Sequence, residues 1–355
     1  MKKIVLPFFT LLLLFTFISC DSNSENKEKK EEAGENIEAL GTQDLPVANL
    51  SESEKNSEYN FYYKFKQGET FKYRVSTVTE SLRDIVSDTS FTNNFNQNIS
   101  KTLEFNTLNI FGDTLAELSC VLTSASIDAD VNGEKISYKS GTVQDSTELK
   151  KFYEFESLLN NPFKIKVTKN GKVLEIYDVG NIIDKMLELN GVQVAPTPKE
   201  KITLQNQMIE NMLRPLIQQI IKELPDKKMK IDSDWEKELA PVQFMTFSIG
   251  YTNHYKVVDM KKLGDDKIAT IEDSASSTVE GDTSVSRSGV NYSFTKPTAS
   301  ANGKIFFNID KGLIQKSITK TRMNIKYKME MITQTGLRTG SVTEKIITNN
   351  TAELL

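Results

Sequence analysis

The sequence predicts a mainly β protein in which a curved antiparallel sheet, or half-barrel, packs on helices near the middle of the chain. Long stretches alternate apolar and polar residues with a period of two, which is typical of strands with one buried face. Glycine-containing turn dipeptides separate these stretches. The apolar spacing then changes to that of helices, so we expect helices near 178–190 and 198–224.

The first twenty residues have the order of an export signal that ends at a cysteine. Two lysines precede the apolar run Ile4–Ile18, and Ser19 and Cys20 follow it. The run has about 15 residues, fewer than the roughly 20 that a membrane-spanning helix needs. This order resembles a bacterial lipoprotein signal, which implies that residues 1–19 are removed and that Cys20 is acylated, for example with palmitate. An ordinary secretory signal with a chance cysteine is the alternative.

An acidic arm follows the signal. Residues 21–58 contain 11 acidic residues, 4 lysines and no aromatic residue, so the arm carries a charge of −7. Such a composition cannot bury enough surface to fold, and it predicts a disordered tether between Cys20 and the body. The body, residues 59–355, keeps 38 basic and 37 acidic residues. A nearly neutral body gives no electrostatic reason to expect a nucleic-acid partner.

Strands are predicted from the start of the body onward. The alternation of Tyr59–Phe65 continues, after Gly68, in Phe71–Val75. Residues 163–176 are predicted to form a hairpin that turns at Asn170-Gly171, because this dipeptide favours a tight turn with positive φ. Similar alternation occurs at 103–105, 305–309 and 325–331. The stretch 281–302, rich in Ser, Thr, Asn and Gly, is predicted to be a long mobile loop.

Two helices are predicted between the strand-rich parts. Residues 178–189 form a short one that stops at Asn190-Gly191. Thr197 is expected to cap the second, with Glu200 completing a capping box and Pro215 producing a kink. Its apolar stripe either packs as plain core against the sheet or lines an apolar cavity. The lining residues of that cavity would be Met208, Met212, Leu216 and Ile220, with Phe71, Tyr73 and Phe105 opposite.

The two strand-rich parts show signs of a duplication. Residues 59–177 and 226–350 share, in the same order, a turn followed by an aromatic residue, a Gly-Asp hairpin, and a closing hairpin with Lys/Asn-Gly. Turns of this kind are common in β proteins, so chance order is the alternative. A true duplication predicts two similar sheet units, joined by the helices of 178–224.

Few residues indicate catalysis. His254 is the only histidine and has no partner that the sequence identifies, so we expect a structural role in a strand. Cys120 lies in a strand-like segment, where a buried and inert thiol is expected. Neither a Gly-x-Ser-x-Gly motif nor a glycine-rich phosphate loop before a helix is present.

One segment resembles half of a calcium loop. Asp128, Asp130 and Asn132 have the spacing of the first ligands of an EF-hand, and Gly133 follows. Position 12 of that loop would be Lys139, which repels a cation. A hairpin turn at Asn132-Gly133 explains the same residues, so weak calcium binding is the lesser alternative, and no cofactor is expected.

Several short motifs together carry a family resemblance. They are the segment Lys66–Tyr73, the tryptophan that follows a proline in Pro225–Trp235, and the hairpin Phe306–Ile314. With the signal and the arm, they resemble a family of uncharacterised Bacteroidota lipoproteins. In fold alone, the layout is similar to lipoprotein-carrier half-barrels such as LolA and LppX. Those proteins hold acyl chains between a curved sheet and helices.

These observations lead to three hypotheses of function. The first is a non-enzymatic protein of the cell envelope, lipid-anchored at Cys20 in the outer membrane, that binds an apolar or amphiphilic ligand between sheet and helix. The second is a structural or protein-interaction module of the envelope without a small ligand. The third is a glycan-active enzyme that uses a pair of carboxylates, which spacing alone does not identify.

Overall fold

The computed structural model describes residues 47–142, 145–192, 196–333 and 336–355. The predicted signal, Cys20 and the arm as far as residue 46 lie outside the described residues. The strands are β1 (Val47–Asn49), β2 (Thr70–Val86), β3 (Ser90–Phe111), β4 (Leu115–Val131), β5 (Glu134–Lys139), β6 (Phe163–Thr168), β7 (Val173–Tyr177), β8 (Asp234–Phe244), β9 (Phe247–Leu263), β10 (Asp266–Gly281), β11 (Ser284–Arg287), β12 (Val290–Asn308), β13 (Leu313–Thr333) and β14 (Gly336–Leu354).

Short helices complete the chain. The α-helices are α1 (Glu52–Lys55), α2 (Ser146–Leu149), α3 (Tyr153–Leu158), α4 (Gly180–Leu189), α5 (Pro198–Met208) and α6 (Arg214–Ile220). A 3₁₀ turn spans Lys150–Phe152, and a π-helical turn, Ile209–Leu213, joins α5 to α6. No helix of the described residues is long and apolar enough to cross a bilayer.

All strands belong to one open, curved, antiparallel sheet, which confirms the predicted fold class. The order is β1-β9-β10-β12-β13-β14-β2-β3-β4-β6-β7, with β8 beside β9, β5 beside β4 and β11 beside β12. Strand β14 pairs with β2 and thereby joins the C-terminal strands to the N-terminal ones.

The two parts of the chain proposed as duplicates have corresponding strand orders in the sheet, β2-β3-β4-β6-β7 and β8-β9-β10-β12-β13. The duplication itself stays a prediction.

The helices cover one face of the sheet, which we call the inner face. Residues directly opposite each other in antiparallel strands share a face. The opposed pairs Phe71 with Phe105 and Tyr73 with Leu103 therefore lie on the inner face, where they are buried in the main apolar cluster. Helix α6 packs there against β2, β13 and β14. Its Leu216, Ile217 and Ile220 are buried in the same cluster.

The helical segment follows the predicted local signals with one difference. Thr197 caps α5 and forms the expected capping box with Glu200. The π-helical turn lies directly before Pro215, which has no N–H to donate to the preceding turn. Helix α6 ends at Ile220, four residues before the predicted limit at Leu224.

Residues 59–65 and 47–58 differ from the predictions. Tyr59–Phe65 does not join the sheet, because its N–H groups donate to loops instead, as Tyr63 N–H does to the Lys169 carbonyl at 2.7 Å. Residues 47–58, predicted as part of the disordered tether, contain β1 and the capped helix α1. Leu50 is buried in the main cluster, and this anchors the segment to the body.

Residues 281–302 were predicted wrongly as a mobile loop. They contain β11 and much of β12, which pairs with β10 and β13. Its composition resembles that of a loop because many of its residues are exposed small polar ones. The hairpin at Asn170-Gly171 is confirmed, and only the glycine of that dipeptide has positive φ.

Candidate functional site

The inner face continues beyond the helices toward the far ends of the long strands. We call the side chains there the distal inner surface, and its members are Ile85, Phe91, Phe95, Val131, Tyr292, Tyr327, Met329, Met331 and Val342. The strand register places them on one face, because Tyr292 opposes Met329, Tyr327 opposes Val342, Val342 opposes Ile85, and Phe95 opposes Val131.

This surface is incompletely covered, and polar groups interrupt its apolar side chains, because Asn93, Gln97 and the Arg83–Glu344 ion pair lie on the same face. Phe91 and Met331 are 49% and 40% exposed, and most of the other members are half-buried. The rings of Tyr292 and Tyr327 lie 6.3 Å apart between centroids. Partly exposed aromatic and Met side chains of this kind are typical of adaptable apolar binding surfaces.

A second apolar cluster borders the distal inner surface. It joins Phe247 and Ile249 of β9 to Met323 of β13 and Ile346 of β14. Strands β10 and β12 lie between β9 and β13 in the sheet, so these contacts require the sheet to curl.

Polar side chains separate the two clusters on the inner face. We call them the polar belt, and its members are Thr77, Thr79, Asp273, Thr321, Thr348 and Asn350. The Thr77 hydroxyl donates to Asn350 Oδ1 at 2.8 Å. Within the described part of the chain, Asp273 Oδ1, Thr321 Oγ1 and Asn350 Nδ2 are buried without a hydrogen-bond partner. Buried polar atoms are rarely left unpaired, so this belt is suited to receive water or polar ligand atoms.

Gly303 makes room for the carboxylate of the belt. It lies opposite Asp273, and a Cβ at this glycine would collide with the carboxylate. Burial raises the pKa of Asp273 to about 6, while the charge of Lys222 opposes the rise. Burial also lowers the pKa of the Lys222 ammonium. The carboxylate is therefore held in a site that disfavours its charge.

We expect Asp273→Asn to remove the destabilisation that ionisation of this one buried carboxyl group contributes between pH 4.5 and 7.5. Because the folded-state pKa is raised, folding is weakened as the pH rises from about 3.8 to about 6. The stability that the variant gains over the wild type should therefore be about 2 kcal/mol larger at pH 7.5 than at pH 4.5. Urea unfolding followed by the fluorescence of Trp235 measures both values.

Asp266→Asn is the control of opposite sign. A hydrogen bond from Asn308 lowers the pKa of Asp266, so its stabilising effect is present near neutral pH and is lost in acid. This variant should be less stable than the wild type at pH 7.5. An unchanged pH dependence in Asp273→Asn would contradict the assignment.

A small cleft opens between β3, α3 and α6. Its volume is about 30 Å³, room for water-sized molecules and not for an acyl chain. It is lined by Lys101, Glu154, Phe155, Leu158, Asn211, Met212, Pro215, Leu216 and Gln219. Burial lowers the pKa of Lys101 to about 8 and raises that of Glu154. The Lys101 ammonium lies 5.5 Å from the centroid of the Phe155 ring.

The seven predicted lining residues come together as packed side chains. Met208, Leu216, Ile220, Phe71, Tyr73 and Phe105 are buried in the main cluster, and Met212 packs against it at the cleft. The rings of Phe71 and Phe105 stack at 5.1 Å, and the Tyr73 hydroxyl donates to the Ile314 carbonyl at 2.5 Å.

The sequence analysis missed the distal inner surface, because Tyr292 lies in the segment that was predicted to be a loop. The alternation at 325–331 was a signal that could have indicated it.

The remaining candidates have structural surroundings. Asn132 and Gly133 form the predicted turn, and both have positive φ. Asp130 accepts from the Gly133 N–H, and Asp128 accepts from the Ser137 hydroxyl. The described residues contain no group of three or more side chains suited to hold a metal ion.

Cys120 and His254 lie in strands, as expected. Cys120 is fully buried, which raises the pKa of its thiol. His254 has partners that the sequence did not reveal, since its Nδ1 lies 2.8 Å from Glu236 Oε1 and its Nε2 lies 2.9 Å from Ser276 Oγ. This constellation lies on the outer face of the neighbouring strands β8, β9 and β10.

Comparison with known proteins gives a family and distant likenesses. A family model described as "Family of unknown function (DUF6263)" matches residues 113–314. No curated protein matches the chain.

Three solved structures show weak likeness. A structure titled "Lipid-protein interactions in lipovitellin" has a TM-score of 0.44 and 11% identity, and covers 82% of this chain and 25% of its own. The present chain thus spans about a quarter of that protein. An outer membrane channel from Pseudomonas putida F1 has a TM-score of 0.20 and 6% identity, with coverages of 84% and 100%. OccK7 of Pseudomonas aeruginosa has a TM-score of 0.18 and 7% identity, with coverages of 81% and 99%.

Proposed function

The chain belongs to the family of unknown function DUF6263, and we propose that it is a non-enzymatic lipoprotein of the cell envelope. It is held at the outer membrane through Cys20 and binds an apolar or amphiphilic ligand. The ligand occupies the distal inner surface, and the predicted pocket under α6 is filled by packed side chains.

The observation that carries this proposal is the row of inner-face side chains along β3. Lys101 lies at the cleft, Ile99 is 6% exposed, Phe95 is half-buried and Phe91 is 49% exposed, and the half-buried polar side chains of Gln97 and Asn93 alternate with them on the same face. At about 3.4 Å per residue, Lys101 and Phe95 are about 20 Å apart along the strand. One leaflet of a bilayer has a hydrocarbon thickness of about 15 Å, so the row is long enough for the acyl chain of a lipid.

The cleft end of the row suits a polar head group. Lys101 provides an ammonium, Glu154 a carboxyl group, and Asn211 an amide. Gln219 Oε1 is buried there without a partner among the described residues. Partial burial strengthens the interaction of these groups with a zwitterionic or anionic head group. A small outward movement of α6, next to its π-helical turn, would enlarge the cleft for such a group.

Native mass spectrometry of residues 21–355 tests the proposal. This chain lacks the predicted signal and the acylated cysteine and keeps every described residue. We expect a bound lipid in stoichiometric amount, identified after organic extraction, or uptake of an added fatty acid or phospholipid. Bovine serum albumin is a positive control for uptake. A clean unliganded mass, with no uptake of either added lipid, would contradict ligand binding.

A protein-interaction module is the second candidate. Exposed apolar side chains at the strand tips, such as Ile332 at 82% exposure, favour it, because large exposed apolar residues often mark interaction surfaces. The two candidates differ in the mass experiment, since only ligand binding predicts a bound lipid.

A further inference from the structure

Exposed apolar side chains lie on the hairpin tips around the open end of the inner face. We call this set the distal rim, and its members are Val86, Met245, Val285, Met331, Ile332 and Leu337. Their exposed fractions are 48%, 50%, 37%, 40%, 82% and 63% respectively. Their concentration at one end of the sheet marks this end as a candidate interaction surface.

The strand register places these tips at the same end of the sheet. Ser341 of β14 opposes Val86, and Val290 of β12 opposes Met331. Gly281 of β10 opposes Phe247 of β9, and the turn that precedes Phe247 carries Met245. The tips therefore surround the end of the inner face that the helices do not cover. Val285 and Met331 lie on the inner face beside Tyr292 and so border the distal inner surface, whereas Val86, Ile332 and Leu337 lie on the outer face of the tips.

The anchoring arm begins at the opposite end of the body. Val47 pairs with Leu263, beside the β9–β10 turn. Strand β13 has 21 residues and so extends about 70 Å at 3.3 Å per residue. Residues 21–46 can extend by at most about 90 Å. The arm thus leaves the distal rim free to reach a lipid surface away from its attachment point.

We propose that the distal rim inserts into a lipid bilayer and that the ligand passes between this bilayer and the distal inner surface. The transfer of ligand rests on the proposed function, whereas insertion into the bilayer is measured separately, as binding to vesicles. Each fully buried aliphatic side chain contributes about 1.5–3 kcal/mol, so several separate tips suffice for reversible binding. A fluid bilayer accepts apolar tips that are spaced around an opening, whereas a protein partner favours one contiguous patch.

Vesicle flotation of residues 21–355 tests the insertion. The vesicles contain phosphatidylethanolamine and phosphatidylglycerol, and the unacylated chain removes any contribution from the anchor. We expect the wild type to float with the vesicles and Ile332→Ser/Leu337→Ser to bind at least tenfold more weakly. The matched control is Ile202→Ser, which removes a 57% exposed side chain of α5 outside the rim and should float like the wild type.

A fluorescence measurement places the rim in the bilayer directly. Ile332→Trp adds a second tryptophan at the tip, whereas the native Trp235 lies on β8 and packs against the main cluster. Vesicles of brominated phosphatidylcholine should quench the added emission and leave that of Trp235 unchanged. Absence of both flotation and quenching, or equal weakening by the Ile202→Ser control, would overturn the insertion.

The same proteins separate this inference from the proposed function. Fatty-acid uptake by Ile332→Ser/Leu337→Ser in vesicle-free buffer should equal that of the wild type, because both side chains lie outside the distal inner surface. Flotation without any lipid uptake would overturn the transfer of ligand and the proposed function together, and leave insertion standing. Uptake without flotation would overturn the inference alone.

Discussion

Gly171→Ala should destabilise the protein by about 3 kcal/mol or more, a large loss for a single methyl group. Gly171 has φ of +87°, which L-residues with a Cβ rarely adopt. An added Cβ would lie 2.6 Å from Tyr63 Cε2 and closer still to the Lys222 carbonyl oxygen. The Tyr63 hydroxyl donates to this same carbonyl, so the substitution separates the chain after α6 from the β6–β7 turn.

Gly68→Ala is the matched control. Gly68 also has positive φ, +79°, but no heavy atom lies within 4 Å of an added Cβ. This variant should lose about 1–2 kcal/mol of folding stability, the cost of placing a Cβ in the left-handed backbone conformation. Thermal and urea unfolding of both variants give the comparison. Equal losses of stability in the two variants would contradict the contribution that we assign to close packing at Gly171.

Phe95→Asp should weaken lipid binding at least tenfold, a loss of about 1.4 kcal/mol or more. Phe95 lies midway along the inner-face row of β3 and is only half-buried, so a carboxylate there stays hydrated in the free protein. A bound acyl chain would remove that water and leave the charge in apolar surroundings. Displacement of a fluorescent fatty acid measures the affinity.

The control for this variant is Leu174→Asp. Leu174 is 50% exposed on β7, far along the sheet from β3 in the strand order, and the same charge there should leave the affinity unchanged. Thermal unfolding should show small changes in both variants. Equal affinities of Phe95→Asp and the wild type would move the ligand away from the distal inner surface.

The sequence predicted the local features well because they depend on a few adjacent residues. The capping box of Thr197 and Glu200, the turn at Asn132-Gly133 and the buried Cys120 all follow from local pattern and are confirmed. Tyr59–Phe65 has the period of a strand, but its partners are loops that lie more than a hundred residues away. Periodicity indicates a buried face and does not identify what covers it.

The candidate site was harder to predict because it depends on the curl of the sheet. Whether an apolar inward residue is core or accessible is decided by distant strands, as the contrast between Phe105 and Phe91 shows. Phe105 lies under the helices and is fully buried, whereas Phe91 lies beyond them. The unpaired Asp273 Oδ1 depends in the same way on Gly303, a residue of the neighbouring strand.

The pairing of β14 with β2 has a consequence for biogenesis. The Thr77–Asn350 hydrogen bond joins residues 273 positions apart, so this junction forms only after nearly the whole body has been synthesised. Until then, β2 is an unprotected edge of 17 residues, able to pair with another copy. Contacts so distant in sequence slow folding. The nascent protein thus passes through a stage with an open strand edge, during which a chaperone that shields strand edges would increase the yield of folded protein.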